Sequence, residues 1–200
     1  PTTVLQPSVG EVAFLINILE RRLQLLAETY PHDLDRFENF ALLAISTLYG
    51  IELLDDNVKK CVINLSLTFY DFYKSFAAKF NQEPKKNVLE SAKTIIAVNV
   101  VQGDFLKRTR NDGGQIVLSE WQPAPIKKNT KHIRVIRTEY TLQDIFHHIK
   151  IEPGTVYTPV LETKQLGLFD NQPEVPPLPF YRFLPVDIVD VFNQEMEEVD

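Results

Sequence analysis

The sequence predicts an α+β protein: an N-terminal bundle of three to four helices, a small antiparallel β-sheet, and a proline-rich tail closing on a short helix. Three observations lead there. Apolar residues recur at helical spacing through about the first hundred positions. Asn111-Asp112-Gly113-Gly114, a strong turn signal, then separates two β-prone runs. Seven of the thirteen prolines fall in the last fifty residues, where extended backbone is the rule. The expected units are residues 1–100, 101–150 and 151–200.

The first helix starts after Ser8, with Glu11 completing a capping box, and buries Val12, Leu15, Ile16, Leu19, Leu23 and Leu26 before Tyr30-Pro31 stops it. Asp33 or Asp35 opens the second, in which Leu34, Phe37, Ala41, Ala44 and Leu48 carry the rhythm to Gly50. A third begins near Asp55 or Asp56. Its stripe of Val58, Val62, Leu65, Phe69, Phe72, Phe76 and Phe80 is aromatic and uninterrupted, which reads as bundle core. Cys61 lies on the apolar side of that helix and reads as a core residue. Helices one and two are apolar on more than one face, through Phe14, Ile18 and Leu25 and through Leu42, Leu43 and Ile45. Such helices are wrapped by other elements or shared with a second copy, so a homodimer through this domain is one expectation.

From Lys86, "KNVLESAKTIIAVNVVQ" opens as a helix and ends in a β-branched run that suits a strand equally well. "GDFLKRTR" and "QIVLSEW" flank the Asn-Asp-Gly-Gly turn as a hairpin, and "HIRVIRTEY" supplies a third strand. Thr141 caps a short helix, "TLQDIFHHI", with Asp144 at the capping-box position. Pro185 begins the last helix, with Ile188, Val189, Phe192, Met196 and Val199 on its apolar face.

Composition narrows function by exclusion. The chain is 44% hydrophobic and 24% charged, ordinary for a folded domain. It has no apolar run of membrane-spanning length and no leading basic-then-apolar signal pattern. One cysteine forbids an internal disulfide and suits a reducing compartment, so the cytoplasm is expected. No phosphate loop, dinucleotide fingerprint, nucleophile elbow or zinc spacing occurs. His147-His148 point about 100° apart on a helix and read as a surface pair. No metal, cofactor or membrane contact is expected, and the reading leans away from an enzyme.

Charge is unevenly spread within the net −6. Residues 141–200 set three bases against eleven acids, whereas Lys107, Arg108, Arg110, Lys127, Lys128, Lys131, Arg134 and Arg137 gather in residues 101–140. With Trp121 and Tyr140 interleaved, these eight are the candidate nucleic-acid contacts. The alternative is a solvated sheet edge guarded by cations.

Two short motifs concern partners. "QLGLF", residues 165–169, lies among the tail prolines. It resembles the pentapeptide by which bacterial replication and repair proteins dock on the sliding clamp, with Gln165, Leu166, Leu168 and Phe169 matching. That resemblance implies an adaptor of DNA replication, repair or a mobile element, tethered by Leu168 and Phe169 in an apolar pocket. The alternative is a structural or assembly protein in which these residues plug its own core. The terminal "EEVD", Glu197 to Asp200, resembles the tail by which cytosolic heat-shock 90 chaperones engage tetratricopeptide-repeat adaptors, where the last Asp is gripped by basic side chains.

Overall fold

A computed structural model describes residues 2–8, 13–124, 131–159 and 180–199. The protein is mixed α+β, as the sequence predicts, but the helices are organised on a parallel sheet. Strands β1 (Val4–Gln6), β2 (Leu48–Glu52) and β3 (Val100–Gln102) pair in that order, both pairs parallel. Helices α1 (Ala13–Thr29) and α2 (Leu34–Ile45) connect β1 to β2. Helices α3 (Asp55–Ala77) and α4 (Lys86–Asn99) connect β2 to β3, with a 3-10 turn at Ala78–Phe80 between them.

Leu48 therefore belongs to β2 and not to the second helix, which stops at Ile45. The last carbonyls of α2 find other donors: Ser46 Oγ donates to Leu43 O (2.9 Å), and Arg22 donates to Ala44 O (2.8 Å). At the other end Asp33 is the cap, accepting from Arg36 N at 3.0 Å. The β-branched ending after α4 resolves as β3. The first helix is described from Ala13, and Glu11 lies outside the described residues.

Strand alternation sorts the two faces of the parallel sheet. Leu48 and Val100 turn towards the helices and join the main core with Leu19, Phe37, Phe69, Tyr73, Phe76 and Ile95. Leu5, Ile51 and Val101 turn the other way, onto a small second cluster with Ile116, Leu142 and Phe105.

Beyond β3 the chain forms an antiparallel sheet of β4 (Val117–Pro123), β5 (Arg134–Thr141) and, following α5 (Leu142–Phe146) and β6 (Phe180–Phe183), β7 (Val186–Asp187). Residues 103–110 are not a strand, contrary to the sequence-based expectation. Asp104 Oδ1 accepts from Leu106 N and Lys107 N, each at 3.0 Å, and this local turn outcompetes an extended ladder. The Asn111–Gly114 turn is present, with Gly113 at φ +83°, but it closes only the Thr109–Gln115 bridge.

The last expected helix is also replaced. Val186 pairs with Val135, a 3-10 segment covers Ile188–Asn193, and β8 (Met196–Val199) pairs antiparallel with β6. An available strand edge overrides helical spacing here: Ile188 N donates to Ile133 O at 2.8 Å, and Leu184 N to Glu195 O at 3.0 Å. Ile188, Val189 and Val191 enter the main core beside Trp121 and Val135. The core thus collects residues from all three stretches of the chain. Among the described residues, no helix is long and apolar enough to cross a membrane.

Candidate functional site

The outward faces of α1 and α3 bound a groove of about 680 Å³. Its floor is apolar, with Ile16, Ala27, Phe72 and Phe76, because each helix must turn its buried stripe inward. Its rims are acidic. Glu20 and Glu28 stand on α1 and Asp71 on α3, against one cation, Lys79. Lys79 Nζ lies 5.4 Å from the centre of the Phe76 ring. None of the three carboxylates makes a salt bridge among the described residues. Beside the groove, α3 carries a second apolar stripe of Ile63, Leu67 and Tyr70, with Ile63 55% and Leu67 53% exposed. This stripe does not belong to the core, which takes Cys61, Leu65, Phe69, Tyr73 and Phe76 from the same helix. Sequence reading passed over it. The signal was there as an i, i+4, i+7 repeat offset from the core repeat.

Six of the eight basic candidates lie among the described residues, and each has a partner within the chain. Lys107 pairs with Asp104 (3.5 Å) and Arg110 with Asp112 (3.1 Å). Arg108, at φ +60°, lays its guanidinium 4.1 Å from the Phe146 ring centre and donates to Gln143 Oε1 at 3.1 Å. Lys131 reaches Asp35 of α2 at 3.1 Å. Arg134 donates to Pro185 O at 2.7 Å. Arg137 is partly buried, with its guanidinium 4.5 Å from the Phe183 ring centre and 5.3 Å from that of Trp121, and paired with Glu139 at 2.7 Å. Burial, partly offset by Glu139, lowers the pKa of its guanidinium. The three cations of the 104–110 turn, Lys131 against α2, and the two arginines of β5 are therefore anchored at separate places. Lys127 and Lys128 lie outside the described residues, as do Gln165, Leu166, Leu168 and Phe169. Glu197, Glu198 and Val199 are held in the β6–β8 ladder, opposite Arg182, Tyr181 and Phe180. His147 and His148 are exposed.

A buried polar network ties α3, one wall of the groove, to α2 and the turn before α4. Glu38 of α2 is fully buried. It accepts from the Tyr73 hydroxyl at 2.5 Å and from Lys85 Nζ at 2.7 Å. Lys85 also reaches Asp35 at 2.8 Å, and Lys85 N donates to the Tyr73 oxygen at 3.1 Å. Every charge in this cluster is paired, the condition under which buried charge is tolerated. Burial, joined by the hydrogen bond to Glu38, raises the Tyr73 pKa above the ordinary phenol value. Burial also pushes the Cys61 thiol up to about 11, leaving it an inert core group.

Comparison with known proteins finds no family model, no curated protein and no solved structure that matches the chain.

Proposed function

We propose that this chain is a non-enzymatic protein-interaction module whose α1–α3 face receives a basic amphipathic segment of a partner. The observation that carries this reading is the coincidence of an apolar groove, three carboxylates without salt bridges, and the exposed Ile63–Leu67–Tyr70 stripe. A partner helix with alternating basic and apolar faces complements both features, burying apolar area while its cations meet Glu20, Glu28 and Asp71. A second copy of this chain is a poorer occupant, since the same face would set carboxylates against carboxylates.

The test uses the whole chain and a synthetic leucine–lysine amphipathic helix. Micromolar binding that protects α1 and α3 amides from exchange, and that disappears in Glu20→Lys/Asp71→Lys, supports the reading. Binding indifferent to that charge reversal would sink it. Because Leu67 is half exposed, Leu67→Ser should weaken peptide binding yet change stability by no more than about 0.5 kcal/mol.

A tether to the bacterial sliding clamp is a second reading, favoured by the match of Gln165, Leu166, Leu168 and Phe169 to the clamp pentapeptide. Clamp binding lost in Leu168→Ala/Phe169→Ala, with thermal stability unchanged, would support it. The reverse pattern would assign those residues to the protein's own packing.

A further inference from the structure

Between the parallel sheet and β4 lies a cleft of different chemistry. Strand β4 runs beside this sheet without joining its ladder. Ser119 stands opposite Glu139, and Glu139 N donates to Thr155 O, away from β4. The backbone of Ser119 therefore also points away from β5. Side chains receive it: Ser119 N donates to Asn99 Oδ1 (3.0 Å), and the Tyr49 hydroxyl donates to Ser119 O (3.1 Å). Sheets joined by side chains stand further apart than hydrogen-bonded strands, and a gap remains.

That gap has two lobes, of about 290 and 230 Å³, which share Thr3, Tyr49 and Glu120. The larger is walled by Leu5, Leu118 and Ile145 and flanked by Tyr140. The smaller reaches Trp121, whose buried Nε1 has no hydrogen-bond partner. Glu120 is the one charged residue lining either lobe. Its carboxylate accepts from a neutral donor, the Gln122 amide at 3.0 Å, and Tyr140 lines the same lobe. No lysine, arginine or histidine pairs with it among the described residues. Burial, and then the charge of Glu120, raises the pKa of both Tyr49 and Tyr140, so both phenols stay protonated at neutral pH. The cleft carries a single negative charge, apolar walls and two electron-rich rings.

We infer that this cleft binds a small organic cation, an ammonium or guanidinium on a short aliphatic body, with Glu120 as its counter-ion. The rings of Tyr49 and Tyr140 add cation–π attraction, and Leu5, Leu118 and Ile145 take the aliphatic part. An anion would oppose Glu120. A neutral apolar ligand would strip water from the carboxylate without replacing it. Metal binding is a poor fit, since the cleft offers one carboxylate and no group of three metal-ligating side chains occurs among the described residues. The cation has two sources, a free amine or a lysine or arginine side chain presented by another protein. The cleft shares no lining residue with the α1–α3 groove, so this inference stands apart from the proposed docking function.

The experiment titrates the full chain with n-pentylamine, with 1-pentanol as the neutral match, and with a lysine-containing peptide, following amide shifts of β4 and β5. Saturable binding of pentylamine, weakened at least about tenfold in pentanol and in Glu120→Gln, supports the inference. Ile145→Trp, at a partly exposed wall, should block entry while leaving Glu120 in place, which guards against a Glu120 variant that fails to fold. If the peptide saturates as well, the cleft admits a protein side chain; if only pentylamine does, it takes free amines. Equal binding of pentanol, undiminished binding in Glu120→Gln, or no saturable binding of any probe would overturn it.

Discussion

Asp35 and Lys85 illustrate how single residues set conditions for the whole bundle. Burial works against the charge on Asp35, but Lys85 and Lys131 outweigh it and hold its pKa below the ordinary carboxylate value. Burial likewise works against the Lys85 ammonium, and Asp35 with Glu38 outweighs that and raises its pKa. The contribution of Asp35 is complete above the unfolded carboxylate pKa of about 4 and fades as pH falls through its lower folded value. That of Lys85 is complete below the unfolded lysine pKa of about 10.4 and fades as pH rises through its higher folded value. The stability difference between wild type and Asp35→Asn should therefore be flat from about pH 5 to 9. It should shrink below about pH 4, which urea midpoints measured across pH will check. A difference that grows towards acid would contradict the assigned pairing. None of these partnerships was legible in the sequence, because Asp35, Glu38, Tyr73, Lys85 and Lys131 are brought together only when α2, α3, the turn before α4 and the segment leading into β5 pack.

Among the elements, those specified by local chemistry were legible. Helix α5 is the clearest. Thr141 Oγ1 accepts from Asp144 N at 3.1 Å, and Asp144 Oδ2 accepts from Thr141 N at 2.8 Å, the reciprocal pair that the spacing implied. Because α5 is only five residues long, the cap is a large share of its stability. Thr141→Ala should cost about 1 kcal/mol in chemical denaturation and loosen amide protection over Leu142–Phe146 before other regions. Of the short parallel strands only β3 left a mark, as the β-branched end of its segment, and β1 and β2 were not legible. Three residues such as Val4–Gln6 are too few to show a period, and β2 contains Gly50, which reads as a stop. The 103–110 segment failed for the opposite reason: its β-prone residues were visible, but Asp104 closes a local turn that alternation cannot reveal. On α3, two apolar repeats overlap, and only packing tells the core repeat from the Ile63–Leu67–Tyr70 stripe.

For the molecule as a whole, the C-terminal stretch is part of the core. Ile188 is fully buried and shares a cluster with residues of α1 through α4. Ile188→Ala should destabilise by about 2–5 kcal/mol, and the loss should appear in one cooperative transition reported equally by helical and aromatic signals. A variant that melts β6–β8 separately, leaving the helices unchanged, would show that the stretch is an appendage. The sequence by itself determined where apolar side chains repeat, where the Thr141 cap and the Asn111–Gly114 turn fall, and that the chain mixes helices with small sheets, because each depends on neighbours within a few residues. Tertiary structure alone decided that the helices cross over a parallel sheet, that six of the eight basic candidates meet partners in their own chain, and that Glu120 meets Tyr49 in a cleft. Those outcomes depend on which edges and charges are left over once the core has closed, and pairing across seventy or a hundred residues leaves no mark in local periodicity.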